Sequence, residues 1–154
     1  RIDPSMVDHN GNTALHVWLM GEAKDDIDAS VIKLFKSHPS VNMFATNNNG
    51  ETPCHVAAAF KRNTAFFELF QLKEFDSKAC DSYGNGYLHK SVRNTELLTH
   101  FVTKNCADIN LQNKEGETAL MQAVGNESSF SILMKSPHLD PNMKDKHGNT
   151  VLYK

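Results

Sequence analysis

The sequence predicts an all-α solenoid in which antiparallel helix pairs are separated by short, projecting hairpin-like loops. Three observations carry that prediction. A glycine-centred phrase recurs as "DHNGNTALH", "NNNGETPCH", "DSYGNGYLH", "NKEGETALM" and "DKHGNTVLY", placing Gly11, Gly50, Gly84, Gly116 and Gly148 at intervals of 39, 34, 32 and 32 residues. Between the phrases, apolar residues recur at three and four, the period of a helix with one broad buried face. Small residues such as Ala57, Ala58 and Ala123 fall where neighbouring helices must approach closely. Self-similarity at this period is the mark of stacked units that each bury only part of their apolar surface.

Each position of the phrase has a physical role. The glycine supplies the positive φ of a tight turn at the loop tip. Three residues earlier stands Asp8, Asn47, Asp81, Asn113 or Asp145, whose side chain can hydrogen-bond the turn backbone. Two residues after the glycine comes Thr13, Thr52, Gly86, Thr118 or Thr150. A threonine there is expected to cap the first helix of its unit by accepting from backbone N–H groups. Proline or alanine follows, at a position where a missing N–H costs nothing. The second helices are predicted at residues 29–36, 64–73, 95–104 and 128–135.

This phrase resembles the ankyrin repeat, whose period is about 33 residues with the signature T-P-L-H-x-A. "TPCHVAA" at residues 52–58 is the nearest copy, and "CADINLQNKEGETAL" resembles the family's link between units. The resemblance covers essentially the whole chain. It implies one ankyrin-repeat domain over 1–154: the tail of a preceding repeat at 1–6, repeats at 7–45, 46–79, 80–111 and 112–143, and the start of another at 144–154. Because "IDPS" near one end matches "LDPN" near the other, the chain is expected to be an excerpt of a longer array.

Three departures from the pattern carry their own expectations. "MGEAKDDIDAS" (20–30) lengthens the first unit and reads as a solvated acidic loop, with a partner contact as the rival reading. Gly86 replaces the capping Thr, and the turn between that unit's helices reads as one residue short, which predicts a locally softer third unit. Met121 stands where the other units carry His16, His55 and His89.

Composition narrows function. With 154 residues, 40% hydrophobic, 22% charged and a net charge of -2, the chain lacks the clustered basic face that nucleic acid requires. No apolar run reaches the ~20 residues of a membrane span. Cys54, Cys80 and Cys106 are odd in number and fall at three different phases of the repeat. They point to a reduced intracellular setting, cytoplasmic or nuclear, and Cys54 reads as a small buried hydrophobe.

No P-loop, GxGxxG, Ser/His/Asp or Cys/His set, or paired carboxylate occurs, so no enzyme, cofactor or metal is predicted. Three histidines at one phase would stack about 10 Å apart, whereas zinc needs its ligands about 2 Å from one point. The resemblance implies that they are structural, bonding loop backbone and threonine.

What remains is surface. The resemblance implies a non-catalytic protein-interaction module that meets its partner through the loop tips and the concave face of the first helices. The alternative is an architectural or regulatory segment of a larger enzyme, channel or pathogen effector. The partner is then another protein or another domain of the parent chain. By position the candidate contacts are Tyr83, Phe60, Arg93, Lys90, Asn49, Trp18 and Met20, although Trp18 reads equally as a wedge between repeats. Asn110 in "CADIN" occupies the position at which the animal asparaginyl hydroxylase modifies ankyrin repeats, which the resemblance makes the modification candidate.

Overall fold

The computed structural model describes residues 5–22 and 25–153, the side chains of 25–28 excepted. Residues 1–4 of the expected preceding repeat and 23–24 of the insertion lie outside the described residues. The described residues are helical, with an isolated bridge between Val7 and Thr13 and no strand. They form two compact units, Arg1–Asp76 and Ser77–Lys154.

In the first unit α1 (Ala14–Met20) packs on α3 (Pro53–Ala59), and α2 (Asp25–Ser37) packs on α4 (Asn63–Phe70). In the second, α5 (Tyr87–Lys90) packs on α7 (Ala119–Gln122) and α6 (Thr95–Lys104) on α8 (Glu127–Met134). First helix meets first helix and second meets second, as stacked pairs require. Val151–Tyr153 form a 3₁₀ turn where a further first helix is expected.

The loop tips behave as their residues dictate. All five repeat glycines have φ between 71° and 81°. All five Asx residues accept from the backbone N–H groups two and four positions on, at 2.8–3.0 Å. Within each unit one tip is also laced to the next. Asn48 N–H donates to the Asn10 carbonyl, Lys114 N–H to Tyr83 and Lys146 N–H to Glu115, each at 2.9 Å. The glycine therefore also makes room for its neighbour, since a Cβ on Gly84 or Gly116 would lie 2.9 or 2.8 Å from the next tip's amide nitrogen.

The cores are apolar and close-packed. Leu15, Leu19, Phe66 and Leu69 are buried in the first unit, Leu97, Leu98, Leu120 and Leu133 in the second. Phe66 touches the rings of Phe67, Phe70 and Phe75 at centroid separations of 6.0–6.2 Å. Cys54 is fully buried, and that burial pushes its thiol pKa well up.

The structure corrects three expectations. The 20–30 insertion is not a loop throughout, because α2 already begins at Asp25. The Thr caps are long where their bonds are resolved: Thr118 Oγ1 accepts from Met121 N–H at 3.3 Å and Thr13 from His16 N–H at 3.5 Å, while Thr52 Oγ1 lies 2.9 Å from His55 Nδ1. The repeat at 80–111 is shorter through its first helix and turn than the repeat at 46–79, where α3 has seven residues and the next N-cap is Arg62, but the repeat at 112–143 shares that shortening. From Gly86 to the second helix's N-cap Asn94 is the same distance along the chain as from Thr118 to Asn126, and α5 and α7 are both four residues long.

Candidate protein-interaction surface

In the first unit the tip residues Asn10 and Asn49 are exposed, and Asn49 spends its backbone N–H on Asn47 Oδ1. Phe60, which caps the end of α3, is 48% exposed, although Pro53 to Ala58 of that helix are buried. Val17 of α1 is likewise exposed, while Met20 is half-buried.

Trp18 is half-buried and has a partner that the sequence did not announce. The guanidinium carbon of Arg62 lies 4.3 Å from the Trp18 ring centroid. Its Nη1 donates towards the carbonyls of Trp18, Gly21 and Glu22 at 3.3, 3.0 and 3.1 Å. Those carbonyls belong to the C-terminal end of α1 and the segment after it, where helical acceptors are left without helical donors. A cation there also meets the negative end of the helix dipole. Arg62 therefore clamps the start of the insertion, and Trp18 is its platform rather than a free anchor. In the second unit the matching N-cap residues are Asn94 and Asn126, whose side chains accept from Leu97 and Ser129 N–H.

In the second unit Tyr83 stands at a tip and is 62% exposed. Lys90, at the end of α5, reaches back to the loop base and pairs with buried Asp81 at 2.8 Å. Burial pushes the Asp81 carboxyl up, but the Lys90 bond and the Asn85 donors outweigh it and hold the pKa below its ordinary value. Arg93, in the turn after α5, is exposed. A hollow of about 620 Å³ lies among Lys78, Gly86, Tyr87, Cys106, Asp108 and Leu111. Its one thiol, Cys106, is pushed up by burial, which opposes the thiolate that nucleophilic chemistry needs. Among the described residues no three His, Cys, Asp or Glu side chains gather to hold a metal, and no helix is long and apolar enough to cross a membrane.

No family model matches the chain. It is 30% identical over 137 residues to the neurogenic locus notch homolog protein 1 of Danio rerio, which covers 86% of this chain but 6% of that protein. Rabankyrin-5 of Mus musculus and of Homo sapiens each align at 26% identity over 90 residues, 58% of this chain and 7% of theirs. The chain thus spans a small fraction of the length of the curated relatives it matches. A crystal structure of the ankyrin repeat protein EF0377 superposes with a TM-score of 0.76 at 22% identity, over 98% of this chain and 77% of that one. The chain is an ankyrin-repeat protein.

His16 and His89 are structural in the way their phase implies. His16 Nδ1 faces both the Thr13 N–H (3.2 Å) and the Thr13 hydroxyl (2.8 Å), while Nε2 faces the Glu51 carbonyl at 2.9 Å. His89 repeats this with Gly86 N–H and the Glu117 carbonyl. Facing an N–H, Nδ1 must accept; facing a carbonyl, Nε2 must donate. That is the neutral tautomer. Burial lowers both pKa values, the bonds to Glu51 and Glu117 only partly opposing it.

A histidine pKa depressed by folding makes the unfolded state the better proton binder below its own pKa of about 6.5. The contribution of His16 and His89 to stability is therefore complete above that pH and lost as pH falls through and below it. Urea midpoints are expected to be flat from about pH 7 to 8 and to decline towards pH 5.5, less steeply in His16→Gln/His89→Gln. Equal slopes in the two proteins would remove the assignment.

Asn110 is half-buried, and its carboxamide ties two successive inter-repeat loops together. Nδ2 donates to the His138 carbonyl and Oδ1 accepts from Asp140 N–H, both at 2.8 Å.

Proposed function

We propose that this ankyrin-repeat chain is a non-catalytic module that binds another protein through its loop tips and the exposed side of its first helices. The observation that carries the reading is the exposure of large side chains at those places: Tyr83 at a tip, Phe60 and Arg93 after the first helices. Aromatic and arginine side chains of this kind dominate interface energetics. Asn49 and Met20 fit as flanking contacts, Lys90 as a contact already steered by Asp81, and Trp18 as the support beneath the first unit's face.

The test begins with a partner recovered by the chain as bait. Tyr83→Ala is expected to weaken that complex by at least about 1 kcal/mol while the thermal midpoint stays nearly unchanged. Phe60→Ala and Arg93→Ala should weaken it too, whereas Lys36→Ala and Lys104→Ala on the second helices should not. The opposite pattern would move the partner to the second-helix side. Indifference of the complex to all five would favour the architectural reading.

Asn110 is the proposed modification site if the chain comes from an animal cell. After treatment with the animal asparaginyl hydroxylase, mass spectrometry of the peptide containing Asn110 should show one added oxygen. No gain in mass would remove the idea.

A further inference from the structure

Asparagine is followed by glycine at Asn10–Gly11, Asn49–Gly50 and Asn85–Gly86. The pairing carries its own chemistry. The amide nitrogen of the following residue can attack the asparagine Cγ and close a five-membered ring. Glycine puts no Cβ in the way of that approach and lets the backbone turn to meet it. In a folded chain, ring closure depends on what holds the carboxamide and the attacking nitrogen. The three sites differ in that respect.

Asn85 is locked at both ends of its carboxamide. Its Oδ1 accepts from Asn113 Nδ2 at 3.0 Å and faces Gln122 Nε2 at 3.4 Å, and its Nδ2 donates to Asp81 Oδ2 at 3.2 Å. Gly86 is buried, and its N–H donates to His89 Nδ1 at 3.3 Å. Asn10 is exposed, but the next tip clasps its turn. The Asn10 carbonyl accepts from Asn48 N–H at 2.9 Å, and that nitrogen lies 2.9 Å from where a Cβ on Gly11 would be. Asn49 is exposed, and among the described residues its carboxamide has no hydrogen-bond partner. Its own N–H donates to Asn47 Oδ1 at 3.0 Å and the Gly50 N–H to the Asn47 carbonyl at 2.9 Å. Both bonds lie within one exposed turn, the kind of segment that opens locally at little cost.

We propose that Asn49 is a site of spontaneous deamidation. The Gly50 nitrogen bonds to Asn49 Cγ, the Cγ–Nδ2 bond breaks, and the Gly50 amide proton leaves with Nδ2 as ammonia. Water then opens the succinimide: its hydroxyl joins one ring carbonyl carbon and its proton goes to the ring nitrogen. Opening at Cγ gives aspartate, and opening at the main-chain carbonyl carbon gives isoaspartate. Either product adds one negative charge to the tip. Isoaspartate also puts one extra atom into the main chain between the Cα of residue 49 and the Gly50 nitrogen. That disturbs the closure of the loop, in which Asn47 N–H donates to the Glu51 carbonyl at 3.0 Å and Glu51 N–H to Asn47 Oδ1 at 2.9 Å. The Glu51 carbonyl also takes His16 Nε2, so the change reaches the core of the first unit. The proposal stands independently of the reading of the tips as a binding face, in which Asn49 is a flanking contact.

The test incubates the intact folded chain at mildly alkaline pH, where the attacking amide loses its proton more readily. Tandem mass spectrometry of peptides cut at acid pH then locates each amide turned to acid, with Asn49→Asp as the marker for the aspartate product. Conversion is expected first at Asn49, with isoaspartate among the products. Asn85 should lag by roughly tenfold or more, the factor that about two net hydrogen bonds supply. In concentrated urea the two sites should convert at nearly equal rates, because only local sequence then acts. Conversion of Asn85 as fast as Asn49 in the folded chain overturns the proposal, as does an Asn49 that converts in urea but stays intact while folded. Conversion confined to Asn48 overturns it as well. So would a lag of Asn85 that persisted undiminished in urea, since the fold would then decide nothing.

Discussion

Arg62→Ala is expected to lower the stability of the first unit by about 3 to 5 kcal/mol. The side chain is 1% exposed, so removing it empties buried space and returns the cost of desolvating a charge, which the lost contacts must exceed. Its Nη1 shares two N–H groups among three carbonyls at 3.0 to 3.3 Å, and hydrogen bonds from a charged donor are worth roughly 1.5–3 kcal/mol per proton donated. Stacking on Trp18 at 4.3 Å adds a cation–π contact worth up to about 2 kcal/mol when desolvated. Truncation therefore leaves an emptied space, acceptors at the end of α1 without this donor, and an indole without its cover. Arg62→Lys should recover only part of the loss, since an ammonium neither stacks flat nor spreads its donors as a fork. Trp18 is the chain's one tryptophan, so its fluorescence during urea titration reports on this unit directly. If Arg62→Ala moved the transition by less than about 0.5 kcal/mol, as surface changes do, the clamp would have no energetic meaning.

Leu120→Ala should cost about 2 to 5 kcal/mol, the range for a buried leucine whose surroundings close only partly over the gap. Leu120 is 2% exposed in α7, the first helix packed between α5 and α8. Glu115→Ala, five residues earlier at a loop tip, should cost under about 0.5 to 1 kcal/mol although it breaks the pair with Lys146. An exposed ion pair is screened by water and must order two long side chains. Coincident urea midpoints for the two variants would mean that the assigned repeat phase is wrong.

The part of the fold that was legible from sequence is the part whose partners lie within four residues. Gly84 and Asp81 form a turn because a positive φ and a carboxylate accepting two and four residues ahead are local properties. Thr118 and Met121 are a cap for the same reason, and α6 at Thr95–Lys104 matches its predicted bounds because its apolar spacing and Asn94 start it. Left-handed Asn105 ends it. The exposed candidates Tyr83, Phe60 and Arg93 were legible by phase alone, since a position fixed in one unit is fixed in the next.

What the sequence did not disclose are contacts to backbone atoms far along the chain. Arg62 holds carbonyls 40 to 44 residues away, Asn110 holds the 138–140 loop, Ser129 Oγ donates to the Val92 carbonyl, and Gln112 reaches the Lys144 carbonyl. A carbonyl is the same whichever residue carries it, so such an acceptor leaves no trace in composition or spacing. The room that Gly84 and Gly116 leave for the next tip's amide is hidden likewise, behind the positive φ that already explains the glycine. Local chemistry thus determined the repeat, its turns and its exposed candidates. Only the packing of one repeat on the next decided which polar side chains hold the stack together, because their partners are backbone atoms that stacking alone brings within reach.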